Sequence, residues 1–149
     1  MSSGPNNIFL PPAPLVALAG WAVPGLGYVL IGQRVRGVVV GLTILLLFVA
    51  GLLIGGMKVV DAPMGLTFPL VLQKPWFIGQ AFAGPVTLVS SFIANNWTTI
   101  YPDGARTVGV PLSHARVYEI GVLYTAVAGM LNLMAIIDSA YRSSNAGAR

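Results

Sequence analysis

GWAVPGLGYVLIGQRVRGVVVGLTILLLFVAGLLIGG, residues Gly20–Gly56, decides the fold class. It holds two apolar runs joined by the short basic turn Gln33-Arg34-Val35-Arg36. The second run, Gly37 to Met57, carries no ionisable side chain and is bounded by Arg36 and Lys58. At ~1.5 Å per residue, one helix of that length crosses the ~30 Å hydrocarbon core of a bilayer. The stretch therefore predicts an integral membrane protein. The brevity of the turn predicts that the two runs form an antiparallel helical hairpin.

Composition points the same way. Of 149 residues, 56% are hydrophobic and 8% charged, with mean hydropathy +0.81, whereas an average soluble domain carries roughly 25% charged residues. A chain of this length forms one compact unit, so residues 1–149 read as a single membrane domain whose solvent includes the lipid bilayer. The net charge of +4 does not indicate a nucleic-acid partner. Its basic residues are scattered at the ends of apolar runs, where cations anchor helices and set orientation. The absence of cysteine excludes disulfides and thiolate chemistry. The proline-rich start lacks the basic region of a cleavable signal, and the polar tail 143–149 is expected to be mobile.

Four apolar segments are predicted, at about 14–31, 37–57, 77–94 and 120–137. In the first, Pro24 removes the bond to the carbonyl of Gly20, and Gly25 and Gly27 follow. This predicts a kink or two half-helices, serving either close packing or, as in the broken helices of transporters, ligand contact. In the second, Gly37 with Gly41 and Gly51 with Gly55 form two GxxxG pairs about four turns apart on one face, a packing seam. The third is diluted by Gln80, Gly84, Pro85, Thr87, Ser90 and Ser91, and is read as spanning, interfacial or re-entrant. Residues 98–119, with the turn signal Pro102-Asp103-Gly104, read as a solvent loop. In the fourth, Gly121, Thr125, Ala128, Asn132, Ala135 and Ser139 recur every three or four residues, forming a small and polar stripe for helix association. Asn132 is expected to point into the bundle, because an unpaired amide in hydrocarbon is costly.

The predicted fold class is therefore an all-α integral membrane protein. It comprises a helical hairpin, a C-terminal transmembrane helix and a third, weaker segment, with three or four membrane-embedded helices. Basic residues nearly tie between the two sides, so the arginines of the short turn carry most weight and Arg34 and Arg36 are placed in the cytoplasm. A three-span arrangement with segment three re-entrant brings Asp138 to the same side, where an ion pair with Arg34 or Arg36 can clamp the first and last helices.

PGLGYVLIGQRVRG followed by a glycine-rich run resembles the hairpin of small uncharacterised bacterial membrane proteins, themselves loosely similar to TM2-domain proteins. YEIGVLYTAVAGMLNLMAIIDSAY resembles the matching C-terminal helix of one such family of unknown function, associated with planctomycete-like bacteria. The two matches cover about half of the chain. The resemblance implies a multi-pass protein of the bacterial inner membrane and supplies no activity and no catalytic residues.

The chemistry-bearing residues are sparse. His114 stands alone, which excludes a multi-histidine metal site within one chain. None of Asp61, Asp103, Glu119 and Asp138 has an acidic partner nearby in sequence for acid–base work. Ser90-Ser91 lacks a nucleophile elbow, and the PGLG turn lacks the Gly-Lys-Ser/Thr of a phosphate loop. No catalytic, cofactor-binding or metal site is expected. The glycine faces and the stripe predict a non-catalytic subunit that self-associates or joins other membrane subunits. The alternative is a small transporter, channel or lipid-handling protein using the Pro24 break and Asn132.

Overall fold

Proline and glycine cut the chain into its elements. The computed structural model describes residues 11–56, 59–60, 75–96, 98–100, 106–108 and 115–147. Pro12 and Pro14 open helix α1 (Ala13–Ala22), where a missing N–H costs nothing because the first turn offers it no acceptor. The helix ends as Pro24 approaches: Val23 is extended (φ −137°, ψ 117°), the conformation favoured before proline. Gly25 then takes a left-handed φ of 85° and starts α2 (Leu26–Leu30) in a new direction. α2 closes in a Schellman motif, with the Gly32 N–H donating to the Val29 carbonyl at 3.0 Å and the Gln33 N–H to the Tyr28 carbonyl at 2.9 Å. Helix α3 (Arg34–Gly55) follows at once and runs for 22 residues to Gly56.

Beyond it, α4 (Pro75–Ala81) and α5 (Pro85–Asn96) flank a break at 82–84, where Gly84 has φ 94°. Strands β1 (Thr98–Ile100) and β2 (Arg106–Val108) pair antiparallel with Thr99 opposite Thr107. The long helix α6 (Ala115–Gly147) completes the fold.

α6 is the spine on which the other helices assemble. α3 lies antiparallel to it, with Arg36 beside Asp138 at one end and Gly51 and Gly55 against Thr125 and Gly121 towards the other. α1 begins near Ser143, whose hydroxyl donates to the Pro11 carbonyl, and reaches Asn132 at Gly20. α2 then returns, placing Gly27 against Ser139 and the Tyr28 hydroxyl on Asp138. α4 approaches from the opposite end, where Gln80 bonds Val59 and Thr125, and its break meets Asn132 through the Phe82 carbonyl. The Thr87 hydroxyl donates to the Gln80 carbonyl at 2.7 Å, which ties the start of α5 to the end of α4.

Segment one therefore does not pair with segment two as one long arm of a hairpin. It enters and leaves at the same end, because ten residues of helix advance only ~15 Å before the Pro24-Gly25 reversal. Among the described residues, two helices are long and apolar enough to cross a membrane: Arg34–Gly55 (mean hydropathy 2.8) and the stretch Arg116–Asn145 of α6 (2.0). The two broken segments, α1–α2 and α4–α5, stand beside these two helices.

Two regions take regular structure that the sequence reading does not include. The region read as a solvent loop contains the β1–β2 ribbon, whose β-branched Thr98, Thr99, Ile100, Thr107 and Val108 favour extended backbone. The polar tail is helical through Gly147, and Ser143 within it is buried against Pro11. Lys58, Asp61, Lys74, Trp97, Pro102-Asp103-Gly104, His114 and Arg149 lie outside the described residues.

Candidate functional site

The small and polar stripe of α6 lies on the buried side of the helix. Gly121, Thr125, Ala128, Asn132, Ala135 and Ser139 are all buried, while Leu123, Met130 and Met134 are exposed. The stripe meets several elements along its length. Gly121 touches the α3 backbone so closely that a Cβ there would lie 2.6 Å from the Cα of Gly55. Thr125 accepts a 2.8 Å hydrogen bond from the Gln80 amide. A Cβ on Gly27 would lie 2.6 Å from the Ser139 hydroxyl oxygen.

The glycine seam of α3 divides between two neighbours of the same chain. Gly37 and Gly41 receive the Pro24-Gly25 turn, so that a Cβ on Gly25 would run into the Gly37 carbonyl oxygen and one on Gly41 into the Pro24 carbonyl oxygen. Gly51 and Gly55 receive α6 at Gly121. All four positions are filled from within the chain, so they offer no vacant glycine groove to a second copy.

Asn132 sits where the two broken segments converge. Its amide nitrogen donates to the Gly20 carbonyl at 3.1 Å and to the Phe82 carbonyl at 2.9 Å. Pro24 has no N–H, so the Gly20 carbonyl has lost its usual partner four residues on. The break at Gly84 likewise takes the chain away from the Phe82 carbonyl. One side chain thus supplies both missing donors. Both carbonyls are acceptors, which fixes the orientation of the amide. Asn132 Oδ1 is left buried with no hydrogen-bond partner among the described residues. The neighbouring Trp21 indole donates to the Ala81 carbonyl at 3.2 Å, a second tie between the breaks.

A second cluster lies at the end of the bundle where α2 turns into α3. Asp138 Oδ2 accepts from the Tyr28 hydroxyl at 2.7 Å and from Arg142 Nε at 2.8 Å, and lies 3.6 Å from an Arg36 terminal nitrogen. The Arg36 guanidinium stands 5.2 Å from the centre of the Tyr28 ring, within cation–π range. Of the two arginines considered for the clamp, Arg36 makes the ion pair; Arg34 has no partner among the described residues.

The family of unknown function DUF6677 matches residues 15–148, nearly the whole chain. The chain belongs to that family. No curated protein and no solved structure matches it.

In this DUF6677 chain, Tyr28, Gln80, Gly129 and Arg142 also join these contacts, although the sequence does not single them out as site residues. Gln80, in sequence a polar diluent of segment three, is buried and donates to the Val59 carbonyl at 3.0 Å as well as to Thr125. A lone amide inside an apolar segment, like Asn132, was the available signal. Gly129 lets α4 approach so closely that a Cβ would meet the Gly79 carbonyl oxygen. Arg142 lies one helical turn beyond Asp138, a spacing that favours an ion pair. Among the described residues, no group of three or more His, Asp or Glu side chains is placed to hold a metal ion.

Proposed function

We propose that the protein is a non-catalytic integral membrane protein, a structural or accessory component of the bacterial inner membrane. The observation that carries this reading is the outer surface of α3: its apolar stretch is only 22% buried. The core helix of a soluble protein buries its apolar residues, whereas here Val35 and Leu53 are 80% and 81% exposed, with Val38, Leu42 and Leu46 exposed between them. α6 adds Met130, Met134 and Ile137 to the same outward apolar belt. Lipid is the solvent that makes such a belt favourable. The positive-inside tendency puts the Arg34–Arg36 turn on the cytoplasmic side. Because the glycine seam is filled internally, association with other subunits runs through the apolar belt instead.

Alkaline carbonate extraction of membranes expressing the full chain tests the membrane assignment; release into the supernatant would overturn it. Native mass spectrometry in mild detergent tests the association, and a strictly monomeric protein would remove that part.

The arrangement around Asn132 supports a second reading, a small transporter or channel. Two backbone breaks converge at mid-bundle beside a buried acceptor that has no hydrogen-bond partner among the described residues. Since the chain has no cysteine, single cysteines at Val23 and Phe82 report directly on water there. Labelling by a membrane-impermeant thiol reagent supports the second reading; protection of both sites sinks it.

A further inference from the structure

The Asp138 cluster has more cationic donors than its carboxylate can use. A guanidinium carries five N–H groups. Arg142 directs its Nε–H at Asp138 Oδ2, leaving its four terminal N–H groups free of that contact, and Arg36 meets the same oxygen only at 3.6 Å. Two guanidinium groups share one carboxylate, and both side chains are open to the outside, Arg36 at 49% and Arg142 at 39%. Arg142 is placed by its one-turn spacing to Asp138, and Arg36 has in addition the Tyr28 ring beneath it. Arg34, two residues earlier in the same turn, adds a third positive charge with no partner among the described residues.

The surroundings suggest what complements this excess. The cluster stands at the end of the outward apolar belt, with exposed Val39 one turn below Arg36 on α3 and exposed Ile137 and Tyr141 beside Asp138 and Arg142 on α6. Positive charge directly above an apolar face matches a phosphate attached to acyl chains. Arginine's planar fork suits the paired oxygens of a phosphodiester.

We propose that Arg36 and Arg142, tied together at Asp138, bind the phosphate of an anionic phospholipid whose acyl chains lie along Val39 and Ile137. Asp138 acts as a positioning residue that holds the two guanidinium groups near each other. The proposal rests on the membrane reading above.

The test uses the purified full chain in mild detergent with added phosphatidylglycerol, phosphatidylcholine of matched chains, or inorganic phosphate. Native mass spectrometry and thermal unfolding are the readouts. One phosphatidylglycerol is expected to remain bound and to raise the melting temperature, while phosphatidylcholine does neither. Arg36→Gln and Arg142→Gln are each expected to lower phosphatidylglycerol occupancy by about tenfold, the effect of losing one charge-assisted contact. Arg116→Gln, at the opposite end of α6, leaves occupancy unchanged. Equal retention of the two lipids by the wild type overturns the proposal without any variant. So does full retention by both Arg36→Gln and Arg142→Gln. Displacement of phosphatidylglycerol by inorganic phosphate, with equal thermal stabilisation, reassigns the site to a free phosphate and overturns the lipid. A chain that resists carbonate extraction yet shows no lipid preference fails this proposal alone; a chain released by carbonate fails the membrane reading itself.

Discussion

The two broken segments reach Asn132 from opposite ends of the bundle by different local chemistry. In the first, Pro24 deletes a donor inside an apolar run, and Gly25 supplies the left-handed residue that reverses the chain. In the second, Gly84 supplies the left-handed residue and Pro85 opens the next helix, so the proline follows the break instead of causing it. Their packing also differs. The first break is clamped between α6 and the Gly37–Gly41 notch of α3, whereas the second rests on α6 and on the Trp21 carbonyl of the first. A break in apolar surroundings persists only where its freed carbonyls find donors, and here one amide serves both. The two segments are thereby coupled through a single side chain.

That comparison can be broken most directly at Gly25. Gly25→Ala combines a left-handed φ with a Cβ that meets the Gly37 carbonyl, so it is expected to cost about 3–5 kcal/mol from strain and overpacking together. Thermal or denaturant unfolding in detergent checks it, and a cost below that of Gly32→Ala would mean that α3 does not clamp the turn. Asn132→Ala comes next. It leaves two buried carbonyls without donors, at about 1–3 kcal/mol each. Hydrogen exchange sharpens this prediction, because amide protection should fall around residues 20–24 and 82–86 together. Loosening of only one break would show that the shared cap does not couple them. The smallest effect is expected at Gly32, which has φ 86° like Gly25 but open space where a Cβ would stand. Gly32→Ala should cost only the left-handed conformation, about 1–2 kcal/mol.

Much of this was legible as residue chemistry. The Pro24 break, the orphaned Gly20 carbonyl, the glycine face of residues 37–55 and the inward-facing stripe of α6 follow from proline's missing N–H and from helical periodicity, which are local properties. The partners were not legible. Gly37 and Gly51 share a periodicity, yet one receives a turn and the other a helix. Nothing in the spacing distinguishes those fates. The β1–β2 ribbon also escaped, because three-residue strands are too short to establish a periodic pattern.

The sequence by itself determined where the backbone must break, which faces are small enough for close approach and which buried polar groups require partners. It did so because these depend on φ, on N–H count and on side-chain volume at single positions. Only the tertiary structure decided that segment one doubles back, that Asn132 caps both breaks, and that Arg36, rather than Arg34, meets Asp138. Those outcomes depend on which elements come to lie side by side, over separations of up to 112 residues between Gly20 and Asn132. A reversal of a few residues at Gly25 redirects everything that follows it, so no local pattern contains the answer.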